Sequence, residues 1–283
     1  MSILSLEPVA LDEADHVVEG LYVKECSPAR PTQIAAPLLM LHGACHGWWV
    51  WRKWQPFFAA AGWRTFAMSL RNHPGSYPVP EADYLRLTVA DYVQDLLAVC
   101  RWLGRPPVLM GHSMGGIVVQ KAAEAAEIAA LVPVAAIGPA QLGRQNPADI
   151  DPARPVLYPP EAARKRWFHE AIPDALFTGF YAALVPESSG VLGEAGMGRI
   201  AVDPERIGAP VLCVGGEHDA TYVPKADRLA AVYGGDWITV PDAGHNMMLE
   251  SMAIDVAQRI NQWLLGKLPL PRVPAPQPAH LEM

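Results

Sequence analysis

Apolar positions along the chain follow two different periods. Six short runs are nearly continuous in apolar character: APLLMLHG (36–43), RTFAMSL (64–70), PPVLMGHS (106–113), LVPVAAIG (131–138), PVLCVGGEHD (210–219) and DWITVPDAGH (236–245). A strand that is apolar on both faces belongs in a parallel sheet covered by helices on either side. Between these runs, WWVWRKWQPFFAAAG, TVADYVQDLLAVCRWLG, MGGIVVQKAAEAAE, PKADRLAAVYG and SMAIDVAQRINQWLLG carry helical spacing, and several of them stop at glycine. Strands that alternate with helices of this length predict an α/β fold, a doubly wound and mostly parallel sheet. Near the start, VVEGLYVKE predicts an antiparallel hairpin on one sheet edge.

The alternation breaks between residues 140 and 205, a stretch rich in proline, arginine and aromatic residues with helical patterns but no convincing strand. It predicts a helical cap inserted between two strands of a core made from 1–139 and 206–268. The last segment, PLPRVPAPQPAHLEM (269–283), is too proline-rich to pack as helix or sheet. Together with the insertion it leaves room for a homodimer.

With 51% apolar and 18% charged residues, the chain can bury a sizeable core. A net charge of −7 and no basic run argue against a nucleic-acid partner. MSILSLEPVALDEADH lacks a basic, then apolar leader, and no apolar run reaches about 18 residues, so a cytoplasmic protein without a membrane partner is expected. The four cysteines, Cys26, Cys45, Cys100 and Cys213, are far apart and predict reduced thiols.

The candidate chemistry centres on GHSMGG (111–116), which follows a predicted strand and opens a predicted helix. Gly111 and Gly115 permit a tight strand-turn-helix bend that lifts Ser113 out of the sheet at a helix N-terminus, where developing negative charge is favoured. A serine nucleophile needs a base, and the base needs an orienting carboxylate. Functional groups gather at the carboxyl ends of strands in such sheets, which selects Asp219 and His245 after Ser113. Glu217 and Asp242 stay open as alternative acids. The oxyanion donors are expected to be the backbone N–H groups of Met114 and Ala44, with Gly43 letting the latter's loop approach. His42 is read as a ring that fixes this loop. Trp48, Trp51 and Trp54 share a helical face and predict packing, whereas Trp49 points elsewhere. Trp49 and the insertion's Trp167, Phe168, Phe177, Phe180 and Tyr181 predict an aromatic binding surface for an apolar small molecule. No metal-ligand spacing such as H-E-x-x-H occurs, and no cofactor is called for.

From about residue 20 to 265 the chain resembles the α/β-hydrolase superfamily: GHSMGG is similar to its nucleophile elbow, GEHD to its acid strand end and AGHNMMLE to its histidine loop. SLRNHPGS (69–76) is similar to the superfamily's R-G-H-G-x-S loop, with Asn72 and Pro74 in place of two glycines. HGACHG is similar to the corresponding segment of plant methylesterases, which are related to hydroxynitrile lyases; the lyases carry threonine at the position of Gly43 and lysine at that of Ala220. The resemblance implies a serine hydrolase acting on a carboxylic ester, lactone or thioester. Two other readings use the same residues: a cofactor-free lyase or dioxygenase in which His245 acts on the substrate, and a ligand receptor.

Overall fold

The computed structural model describes residues 9–30, 32–145 and 150–268. The proline-rich tail singled out above lies outside the described residues, as do 146–149 of the insertion.

The hairpin of β1 (Leu11–Val18) and β2 (Leu21–Pro28) forms one edge, as its sequence predicts. There follow β3 (Leu38–Leu41), α1 (Trp54–Ala60), β4 (Thr65–Met68), the short α2 (Glu81–Tyr84), α3 (Val89–Leu103), β5 (Val108–His112), α4 (Met114–Ala122) and β6 (Ala130–Val134). After the insertion come β7 (Leu212–Gly216), α8 (Ala226–Tyr233), β8 (Asp236–Val240) and α9 (Ala253–Lys267); the insertion itself carries α5 (Pro160–Trp167), α6 (Asp174–Ala182) and α7 (Ser189–Gly196). The sheet has eight strands in the order β1-β2-β4-β3-β5-β6-β7-β8. β2 runs antiparallel to both neighbours, and every later pairing is parallel.

The continuous apolar runs are explained by two cores, one on each face of the sheet. Leu39, Leu41, Leu109, Leu131 and Cys213 enter one core. Leu38, Met40, Val108, Met110, Val132 and Leu212 enter the other. Alternate residues of β3 to β7 thus serve opposite cores, whereas β8, at the sheet edge, exposes Asp236, Trp237 and Thr239 although its run reads as apolar. Strands stop where small residues allow the chain to turn, so the ends of β3, β5 and β7 deliver their loops to one rim.

The tryptophan-rich stretch after β3 is a 3-10 turn, Trp48–Trp51, that leads into α1. Trp51 and Trp54 are fully buried, and the Trp54 indole N–H donates to the carbonyl of Ala253 at 2.8 Å. Their rings lie 5.4 Å apart and fasten α1 under α9 on the second core. All four cysteines are free thiols. No helix among the described residues is long and apolar enough to cross a membrane.

Candidate active site

Ser113 sits between β5 and α4 with φ 53° and ψ −117°, a conformation that costs an L-residue energy and is kept only where the surroundings impose it. The surroundings are explicit. Its N–H donates to Val134, and its carbonyl accepts from Gly116 and Ile137. A Cβ on Gly115 would lie 2.2 Å from the carbonyl oxygen of His42, and one on Gly111 would lie 2.4 Å from that of Gly115. Gly115 is therefore required by close backbone contact with the loop after β3, and Gly111 by the first turn of α4.

That loop reaches the serine directly. A Cβ on Gly43 would come within 2.9 Å of Ser113 Cβ. Among the described residues neither the Ala44 nor the Met114 N–H has an acceptor in the chain. His42, fully buried, donates from Nδ1 to the Gly43 carbonyl at 2.8 Å and accepts the Leu70 N–H at Nε2. Burial, reinforced by His73 nearby, holds its pKa well below the usual range, so it serves as a neutral brace. His46 does the same one turn on: Nδ1 donates to the Ala44 carbonyl and Nε2 accepts from Asn246, with burial driving its pKa to about 4.

Of the three carboxylates open to sequence reasoning, Asp219 is the one that meets His245. His245 Nδ1 donates to Asp219 Oδ2 at 2.8 Å, which leaves Nε2 for another partner. The Thr221 hydroxyl and N–H both donate to Asp219 Oδ1, at 2.6 and 2.8 Å. Burial would raise the Asp219 pKa, but adjacent His245 and these hydrogen bonds outweigh it and keep the carboxyl below its ordinary value. Glu217 and Asp242 are exposed and lie 3.8 Å from His218 instead. The His245 loop is fixed from behind. His112 Nε2 donates to the His245 carbonyl, and the buried Glu250 carboxylate accepts the N–H groups of Gly244 and of His169 in the insertion.

Ser113, His245, Ala44 and His46 line one cavity of about 600 Å³ including its open mouth. No hydrogen bond joins Ser113 Oγ to His245 among the described residues; such contacts often tighten only when substrate is bound. Ile137, Leu192, Val223 and Trp167 give the wall its apolar part, and Gln145, Tyr158, Arg166 and Tyr222 its polar part. Of the aromatic residues expected to bind substrate, Trp167 is on this wall. Phe168, Phe177, Phe180 and Tyr181 instead pack against one another as the insertion's own core, and Trp49 lies against Phe180 and His46. Their sequence signal was aromatic density, which a small buried core produces equally well.

Sequence reasoning passed over Glu187. Its side chain is fully buried, with Oε2 accepting from Cys45 N–H and His73 Nε2, and Oε1 from the Tyr84 and Tyr92 hydroxyls and the Ser188 N–H. In the 69–76 loop Asn72 takes φ 61° where the resembling pattern has glycine, a conformation asparagine tolerates. The loop thus closes and presents His73 to Glu187. On the surface, His169, His218 and Asp242 bring one potential metal-ligand atom each within 4.8 Å of one another, but the two histidine rings stack at 4.0 Å rather than converging.

Salicylic acid-binding protein 2 of Nicotiana tabacum is 35% identical over 81 residues, 28% of this chain and 30% of that protein. Methylesterase 7 of Arabidopsis thaliana is 35% identical over 106 residues, 36% of this chain and 40% of that protein. The matches thus span less than half the length of these curated relatives. Among solved structures, an N-acyl homoserine lactonase complexed with N-hexanoyl homoserine superposes with a TM-score of 0.70 at 17% identity, covering 94% of this chain and 99% of that one, a likeness of fold. The family model described as Alpha/beta hydrolase family matches residues 38–259, and the chain belongs to that family.

Proposed function

We propose that this hydrolase cleaves a carboxylic ester of an apolar small molecule through an acyl-enzyme, with lactones and thioesters within reach of the same chemistry. One observation carries the reading. A strained, cavity-facing serine stands beside two acceptor-free backbone N–H groups, in the same cavity as a histidine whose tautomer is fixed by a buried carboxylate. Ser113 Oγ attacks the carbonyl carbon while His245 Nε2 takes its proton, and the carbonyl electrons move onto oxygen. The Ala44 and Met114 N–H groups stabilise that oxyanion. Collapse breaks the ester C–O bond, and His245 returns the proton to the leaving alcohol. Water, deprotonated by the same imidazole, then attacks the acyl-enzyme and frees the acid and Ser113. Asp219 orients the imidazole and stabilises its cation. Residues 140–205 act as the cap, contributing Trp167 and Leu192 to the apolar wall. The likeness to plant methylesterases supports esters over other acyl compounds.

The test is turnover of a panel of uncharged esters by wild type and Ser113→Ala. Loss of about three orders of magnitude or more in kcat, with an unchanged melting temperature, is expected. Comparable turnover in the variant would transfer the chemistry to His245 acting on the substrate.

A further inference from the structure

We infer that Arg166 forms an anion subsite in the cavity of Ser113 and that the enzyme prefers substrates carrying a carboxylate besides the ester; this rests on the ester-hydrolase reading. Arg166 is the one Asp, Glu, Lys or Arg residue on the wall of that cavity among the described residues. It stands in the last turn of α5, next to Trp167, whose carbonyl accepts the Asn246 N–H beside His245. The helix carrying it is therefore fastened to the histidine loop.

Its contacts are unusual for an arginine beside a protein cavity. Arg164, two residues earlier, is spent: it donates to Asp174 Oδ1 and to the Ile172 carbonyl, both at 2.8 Å. Arg166 has no carboxylate or carbonyl partner among the described residues. Instead its guanidinium carbon lies 4.8 Å from the ring centre of Tyr158 and 5.5 Å from that of Tyr222, both also on the cavity wall. Contact with ring faces attracts the cation without satisfying its N–H donors. A planar fork held between two aromatic rings is pre-ordered for a two-oxygen acceptor, and carboxylate matches it in charge and geometry. The C-terminal dipole of α5 favours a positive charge in this turn, but does not require one facing the cavity. Among the described residues, no acidic side chain on the wall would repel an incoming carboxylate. The apolar residues then hold the aliphatic or aromatic part between the two polar ends.

The test compares monomethyl esters of linear dicarboxylic acids, succinate to suberate, with length-matched methyl alkanoates near neutral pH. Acetyl esters of hydroxy acids place the carboxylate on the alcohol side. At least one charged ester should exceed its neutral match in kcat/KM by about tenfold or more, equivalent to about 1.4 kcal/mol. Arg166→Gln should abolish that ratio while neutral-ester turnover stays within about twofold, and Arg166→Lys should restore part of it. A ratio of one or less for every charged ester, or a ratio unmoved by Arg166→Gln, would overturn the subsite. If neutral esters too are inert, the hydrolase reading fails, and calorimetry with heptanoate against heptanamide decides the subsite alone. Tighter binding of the carboxylate, lost in Arg166→Gln, supports it; equal binding refutes it.

Discussion

Cys45 and Glu187 stand 142 residues apart in the chain and are joined by a hydrogen bond, the Cys45 N–H donating to Glu187 Oε2 at 3.2 Å. The Cys45 carbonyl accepts the Val185 N–H at 3.0 Å, and its thiol donates to the carbonyl of Val156, so the insertion holds this residue on three sides. Cys45 follows Ala44, the residue proposed to supply an oxyanion donor. The helical insertion therefore sets the conformation of that loop as well as covering the cavity.

Glu187→Gln should destabilise the fold by about 3–5 kcal/mol, because it strands the buried His73 charge and weakens four further hydrogen bonds. Folded variant should also lose kcat more than KM rises, since the loop bearing Ala44 loosens. Urea unfolding with steady-state kinetics on a neutral ester measures both. An unchanged unfolding midpoint would mean that the network is not held by the charge pair.

The same pair predicts a pH dependence. His73 faces an oxygen at both ring nitrogens, the Arg71 carbonyl at 2.8 Å and Glu187 at 3.1 Å, so both carry protons. Burial, and the neighbouring His42 ring at 4.6 Å, disfavour that cation, but Glu187, aided by Asp95, raises its pKa above the ordinary 6.5. Burial would raise Glu187 too; His73 and the hydrogen bonds from Tyr92 and Ser188 bring it from 4.5 to about 2. The raised histidine stabilises fully below about 6.5 and loses its contribution as pH climbs through the folded value. The depressed carboxylate contributes above about 4.5 and fades as pH falls toward about 2. The urea midpoint should thus drop as pH climbs above about 6.5 in wild type and be flatter there in Glu187→Gln. Parallel curves would contradict the pairing.

Asp219→Asn should lower kcat by about 10⁴, because an amide accepting from or donating to His245 Nδ1 no longer fixes the tautomer. Glu217→Gln, whose carboxylate is exposed and turned toward His218, should stay within about twofold. Single-turnover rates on one neutral ester separate these. A larger loss from Glu217→Gln would reassign the acid.

A backbone held at φ 53° and ψ −117° should also be visible thermally. Ser113→Gly relieves a strain of about 1–3 kcal/mol and adds a chain-entropy cost of about 0.4–1 kcal/mol. It should therefore melt above Ser113→Ala, although both variants should be inactive. Equal melting temperatures would show that the elbow is not strained.

Much of this was legible in the chain. The continuous apolar runs announce a buried parallel sheet because β3 to β7 each serve two cores, and GHSMGG announces its turn because Gly111 and Gly115 leave no room for a Cβ. The apolar runs overshoot the strand ends, as at 131–138, where β6 stops at Val134 and the chain turns under the serine. Chain order and strand ends favour Asp219, but Glu217 and Asp242 also end strands and are set aside only by geometry. Glu187, His46 and Arg166 stood in no periodic pattern. Their contacts come from partners far along the chain for Glu187 and His46, and for Arg166 from the rings of Tyr158 and Tyr222.

The most direct test of the central claim, an activated Ser113, is to expose the folded protein to a fluorophosphonate, weigh it intact and map the adduct by peptide mass spectrometry. The account predicts one adduct per chain, on Ser113, and its loss in His245→Ala. Labelling at another residue, or labelling of Ser113 that survives His245→Ala, would contradict it.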